Sequence, residues 1–175
     1  MSVGYRRLYV WVEGTDDERF FERTVRATFE QRYDQVSVVR YAKRKGTKIR
    51  GYLNSIKAMG ADCILLADIN AEPCVTAKKE RLRQRYGVGS DSVIVVIKEV
   101  EGWYLAGLGD EGSAELGLPV LKNTDSLTKE GFNSLMPQRF GSRIDFMVEI
   151  LKRFSRETAR RKNRSFRYFA ERYML

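Results

Sequence analysis

Histidine is absent from this chain of 175 residues, and cysteine and proline are scarce, at two and three residues. Without imidazole, serine–histidine and cysteine–histidine nucleophilic schemes are excluded. Proton transfer falls to Glu, Asp, Lys, Tyr or metal-bound water. Cys63 and Cys74 cannot complete a zinc site without histidine or further cysteines, so both are expected to be buried structural thiols. No apolar stretch approaches the roughly 18 to 20 residues that span a bilayer. The opening segment, Met1-Ser2-Val3-Gly4-Tyr5-Arg6-Arg7, has no signal-peptide hydrophobic region. Together with the few cysteines, this predicts a cytoplasmic protein with no membrane partner. Internal repeats, low-complexity tracts and flexible linkers are also missing. So are Gly-x-Gly-x-x-Gly after the first strand and any Gly-x-x-x-x-Gly-Lys-Ser/Thr, which argues against a dinucleotide or P-loop nucleotide site.

What the chain does have is positive charge, unevenly placed. The formal net charge is +9. Arg40, Lys43, Arg44, Lys45, Lys48, Arg50 and Lys57 form a stretch free of acids, and the segment from Lys152 onward carries nine basic residues against Glu157 and Glu171. Most charge runs are solvated helix faces, but two separate clusters suit a polyanion, DNA or RNA. The residues expected to hold its backbone are Lys43, Arg44, Lys45 and Lys48, with Arg160, Arg161, Lys162 and Arg164.

Short apolar runs alternate with helical segments. Strands are predicted at about Arg6 to Val12, Val36 to Arg40, Asp62 to Ala67 and Ser92 to Ile97, and helices at Thr15 to Gln31, Ile49 to Met59 and from Pro73 to Tyr86. Runs apolar on both faces read as strands of a buried parallel sheet with right-handed crossovers. Beyond Ile97 the pattern is helical: Glu99 to Leu108, Ala114 to Leu116, Lys129 to Leu135 capped by Thr128, Arg143 to Phe154, and Arg156 to Tyr173. The expected fold is therefore α/β, a mainly parallel four-stranded sheet flanked by helices. It spans residues 1–110, with a helical extension over 111–175 packed on it as one structural unit. Trp103, Tyr104 and the aromatic C-terminal helix suit either a core or a homodimer interface.

The apolar runs end in acid. Leu8 to Val12 leads into Glu13-Gly14, Cys63 to Ala67 into Asp68-Ile69-Asn70, and Val93 to Ile97 is followed by Glu99 and Glu101. In a parallel sheet the carboxyl ends of neighbouring strands share a crevice, so these acids are expected to converge there. Clustered carboxylates repel unless a cation lies between them, and hard oxygen donors suit Mg2+ or Mn2+. Gly14 would let the backbone turn tightly and approach a ligand. Asp17 falls in the first turn of the following helix, where an ordinary cap is an equally good account.

Glu13-Gly14 after the first strand and Asp68-x-Asn70 after a later one resemble the marks of the Toprim domain, shared by topoisomerases, primases and OLD-family nucleases. Lys98-Glu99-Val100-Glu101-Gly102-Trp103-Tyr104-Leu105-Ala106, Leu127-Thr128-Lys129-Glu130 and Arg161 to Phe166 look like a small stand-alone prokaryotic branch related to OLD nucleases. The resemblance thus covers nearly the whole chain. It implies Glu13, Asp68 and Glu101 as catalytic acids. Glu13, Asp17, Asp68, Asn70, Glu99 and Glu101 would be candidate ligands of Mg2+ or Mn2+, with Asn70 standing where an aspartate is usual. The implied activity is metal-dependent phosphodiester cleavage or phosphoryl transfer on nucleic acid. The competing expectation is a non-catalytic module working with a separate ATPase in defence or repair. Topoisomerase action is not expected, because strand passage in that family uses a tyrosine and a large multi-domain gate, for which 175 residues leave no room.

Overall fold

A computed structural model describes residues 4–174. The absence of a signal segment was read partly from Met1, Ser2 and Val3, which lie outside the described residues. The chain divides at Val95/Val96 into two compact units. This is earlier than the boundary after residue 110 read from the sequence.

The first unit is built on a four-stranded, all-parallel sheet: β1 (Arg7–Val12), β2 (Gln35–Arg40), β3 (Asp62–Asp68) and β4 (Val93–Val96), in the order β2-β1-β3-β4. Leu8 stands opposite Val36 on one side and Asp62 on the other, and Trp11 opposite Val39 and Leu65. Helices connect the strands: α1 (Thr15–Thr24) and α2 (Arg26–Glu30), then α3 (Gly46–Ala58), then α4 (Val75–Tyr86). Alternation decides which side chains meet which layer. Trp11, Leu65, Ala67, Val93 and Val95 pack with Ile49, Leu53 and Ile56 of α3 and Leu82 and Tyr86 of α4. The intervening Val10, Val12, Ile64 and Leu66 are also buried. Both faces of the sheet are therefore covered, as the doubly apolar runs required.

Local chemistry accounts for where elements differ from expectation. The helix predicted over Thr15 to Gln31 breaks at Val25, just after Thr24, whose hydroxyl donates to the Phe20 carbonyl at 2.7 Å; such back-bonding bends helices. Phe20, Phe21, Val25 and Phe29 nevertheless remain buried, each contributing about 1.5 to 3 kcal/mol of transfer free energy. Helix α3 begins at Gly46 rather than Ile49, so Lys48 of the basic stretch lies in its first turn. Pro73 precedes α4 rather than entering it. The cap is Cys74, whose Sγ accepts from the Ala77 amide at 3.5 Å. Cys74 is exposed, against the expectation of a buried thiol, because a cap sits at a helix end facing solvent. Cys63 is half-buried, and burial, aided by the Asp62 charge, pushes its thiol up to about 12.

The second unit is helical: α5 (Glu101–Ala106), α6 (Asp110–Leu116), α7 (Lys129–Leu135), α8 (Arg143–Lys152), α9 (Arg156–Lys162) and α10 (Arg164–Tyr173). Trp103, Tyr104, Phe132, Phe146, Phe166 and Phe169 are almost wholly buried. Trp103 stacks on Phe169 and meets Phe166 edge-on, with centroids 5.4 and 5.2 Å away. These aromatics therefore form this unit's own core.

The last predicted helix is split at Asn163, whose Oδ1 accepts from the Phe166 amide at 3.0 Å and the Ser165 hydroxyl at 2.8 Å. Its Nδ2 donates to Thr124 Oγ1, which donates in turn to the Gly102 carbonyl, while Ser165 Oγ accepts from Trp103 Nε1. Buried at 1 % exposure, Asn163 starts α10 and closes a satisfied polar network. Among the described residues no helix is long and apolar enough to cross a membrane.

Candidate functional site

Strand order places the acids of the first unit. The chain leaves β1 to form β2 on one side and returns to form β3 on the other. The sheet's topological switch therefore lies between β1 and β3, and ligands of open parallel sheets bind outside the carboxyl ends at such a point. Glu13 follows β1, and Asp68 ends β3. Across the switch, Glu13 Oε1 accepts from the Asp68 amide at 3.1 Å. Tyr41 lies beside them. Its hydroxyl donates to the Leu66 carbonyl at 2.8 Å and stands 3.5 Å from Glu13 Oε1. Burial, followed by the negative charges of Glu13, Asp17 and Asp68, pushes the Tyr41 phenol far above its ordinary pKa and keeps it a neutral donor. Glu13 is thus placed beside both the Tyr41 hydroxyl and the Asp68 amide, from positions distant in sequence.

The loop after β1 differs in detail from its sequence reading. Gly14 is extended, at φ −143° and ψ −167°, so no left-handed turn requires glycine here. A Cβ at this position would meet only Asp17 Oδ2, at 3.7 Å. Asp17 reaches back to accept from the Gly14 amide at 3.1 Å, a helix-capping contact. Asn70 is exposed at φ 52°, in the left-handed region that asparagine tolerates better than most side chains.

Glu13, Gly14 and Thr15 line a cleft of about 660 Å³ together with Glu18, Arg40, Lys43, Arg44 and Tyr52. The β1–β2 ladder continues past the strands to build it, with Tyr41 and Ala42 amides donating to the Val12 and Glu13 carbonyls at 3.0 and 3.2 Å. These bonds tie the basic segment to the acidic one. Arg40 is held by Glu18 and the Thr15 hydroxyl, each at 3.2 Å, and Arg44 Nε donates to the Arg40 carbonyl at 2.9 Å. Arg40 was counted in the basic stretch but not among the residues expected to hold a backbone, and Tyr41 and Tyr52 were not singled out from the sequence. The available signal was aromatic residues interleaved with the basic run.

The remaining predicted residues lie in the second unit, and each has local work there. The Glu99 carboxylate accepts from the Lys129 amide at the start of α7. Glu101 is 4 % exposed and ion-paired with Arg143, which also donates to Asn133 Oδ1 at 2.9 Å and lies over the Phe132 ring. Arg164 binds Asp125 at 2.7 Å, Arg161 binds Glu157 at 2.6 Å, Arg160 lies 3.9 Å from Glu171, and Lys162 Nζ donates to the Leu108 carbonyl at 2.6 Å. By contrast, Lys43, Lys45 and Lys48 have no acidic partner among the described residues.

Glu13, Asp17 and Asp68 offer hard oxygen donors of the kind Mg2+ and Mn2+ take. Among the described residues, however, no group of three or more His, Cys, Asp or Glu side chains is gathered to hold a metal ion. No protein-family profile matches the chain, and no curated protein or solved structure is significantly similar to it.

Proposed function

We propose that the protein is a metal-dependent nuclease or phosphoryl-transfer enzyme of Toprim type acting on nucleic acid. The observation that carries this reading is the cleft beside the carboxyl ends of β1 and β2, which brings Glu13 and the basic side chains Lys43 and Arg44 to one surface, while Glu13 also bonds the Asp68 amide at the end of β3. Phosphodiester chemistry asks for both: cations to hold the phosphate, and carboxylates to bind metal or move a proton. Glu13, Asp17, Asp68 and the Asn70 amide oxygen would hold Mg2+ or Mn2+, which when bound would activate water and stabilise the leaving oxygen. Glu13 is held by the Asp68 amide, and Tyr41 stays protonated beside it, so the carboxylate position is set by the fold. Gly14 presents no side chain to the cleft, so a phosphate can approach the backbone closely.

The test is cleavage of single-stranded and plasmid DNA and of RNA by the purified protein with Mn2+, Mg2+ or EDTA. Asp68→Ala is expected to lower the metal-dependent rate at least about 100-fold, with an unchanged circular dichroism spectrum. A variant as active as the parent would remove Asp68 from the chemistry. Binding without turnover in any metal would leave a non-catalytic module, the form in which a separate ATPase partner becomes the expected source of activity.

A further inference from the structure

Tyr52 departs from the pattern of its helix. Ile49, Leu53 and Ile56 form the inward stripe of α3, whereas Tyr52 is 43 % exposed and lines the cleft. Its ring is nevertheless held, edge-on to Trp11 with centroids 5.1 Å apart and to Tyr9 at 6.2 Å. A ring fixed in this way loses little freedom when a ligand stacks on it. The same cleft is lined by Val38 and Val39, which are apolar, and by Lys43 and Arg44, which are cationic. Arg40 contributes less charge, since Glu18 offsets it.

An aromatic ring and cations lining one cleft form an arrangement by which proteins hold unpaired bases. The ring meets the π-face of a base, and the cations follow the phosphates. In a duplex the base faces are already stacked on one another and cannot reach such a ring. We infer that the cleft accepts a single-stranded nucleic acid, with one base on Tyr52 and the adjoining phosphates on Lys43 and Arg44. This rests on the nucleic-acid reading above and narrows its substrate class.

Binding of fluorescent 12-mers in EDTA separates this inference from the catalytic proposal. The probes are oligo-dT, an abasic strand with the same sugar–phosphate backbone, and a 12-base-pair duplex, with thymidine monophosphate as competitor. Oligo-dT is expected to bind about 5- to 150-fold more tightly than the abasic strand, the range of one stacked base. Tyr52→Phe should keep that ratio, and Tyr52→Leu, which preserves packing on Trp11 without an aromatic face, should lose most of it. Equal affinity for oligo-dT and the abasic strand, duplex binding as tight as oligo-dT, or an unchanged ratio in Tyr52→Leu would overturn the inference. So would monophosphate competing as well as the 12-mer, which would make the ligand a free nucleotide. A stacking preference found without cleavage in Mn2+ would sink the enzymatic reading alone.

Discussion

Glu101 and Glu13 look alike in the sequence, each an acid near the end of an apolar run followed by glycine. Their surroundings give them different work. Glu13 lines a cleft and bonds the amide of a neighbouring strand, while Glu101 is buried against Arg143. Removing one member of a buried ion pair leaves an uncompensated charge, which costs about 3 to 5 kcal/mol. Arg143 is partly exposed, at 24 %, so the lower end applies: Glu101→Ala is expected to destabilise the chain by about 3 kcal/mol, read as a lowered urea midpoint. An unchanged midpoint combined with abolished metal-dependent cleavage would instead return Glu101 to the catalytic set. Acid-tipped runs were legible from the sequence because hydrophobic periodicity marks strand ends. Which acid faces a crevice and which meets an arginine 42 positions away was not, because that depends on tertiary pairing.

At the scale of elements, strands and helices followed from periodicity, and the largest departures came from single side chains that redirect the backbone. Thr24 ends α1 early through its back-bond, and Asn163 ends α9 and caps α10. Both residues read as ordinary polar positions on helices that periodicity would run straight through. Close approach is similarly invisible in sequence at Gly107, which ends α5. A Cβ there would stand 2.1 Å from the Phe154 ring, while one at Gly109 would meet nothing within 4 Å. The ring is packed edge-on to Phe166 at 5.8 Å and cannot swing away without disturbing that packing. Gly107→Ala should therefore destabilise by about 1 to 3 kcal/mol, the usual cost of overpacking. Gly109→Ala should stay within about 0.5 kcal/mol of the parent. Equal urea midpoints for the two variants would mean that Phe154 does not hold α5 in place.

For the whole molecule, alternating elements made an α/β fold with a parallel sheet legible. The order β2-β1-β3-β4 was not, since alternation leaves open the side of β1 on which each crossover returns. Charge behaves in the same way: +9 could be counted, but not how much of it was already neutralised within the fold. The basic residues near the C-terminus are largely engaged, Arg161 by Glu157, Arg164 by Asp125 and Lys162 by a backbone carbonyl. Arg50 in the first stretch likewise donates to the Arg85 carbonyl at the end of α4, at 3.2 Å. Lys43, Lys45, Lys48 and Lys57 remain without an acidic partner among the described residues, and the first three belong to the segment that reaches the cleft, with counterions to release when a phosphate arrives. Every cation taken away from a single-strand phosphate lowers the slope of log affinity against log salt by about 0.7. Replacing Lys43, Lys45 and Lys48 with Gln should therefore flatten the slope for oligo-dT by up to about 2. Replacing Arg160 and Arg161 with Gln should change it by less than about 0.7, because ions already paired within the protein release few counterions. Titrations from roughly 50 to 300 mM salt would decide the matter: an equal flattening in the two variants would show that the polyanion is held by both basic clusters and not by the cleft segment alone.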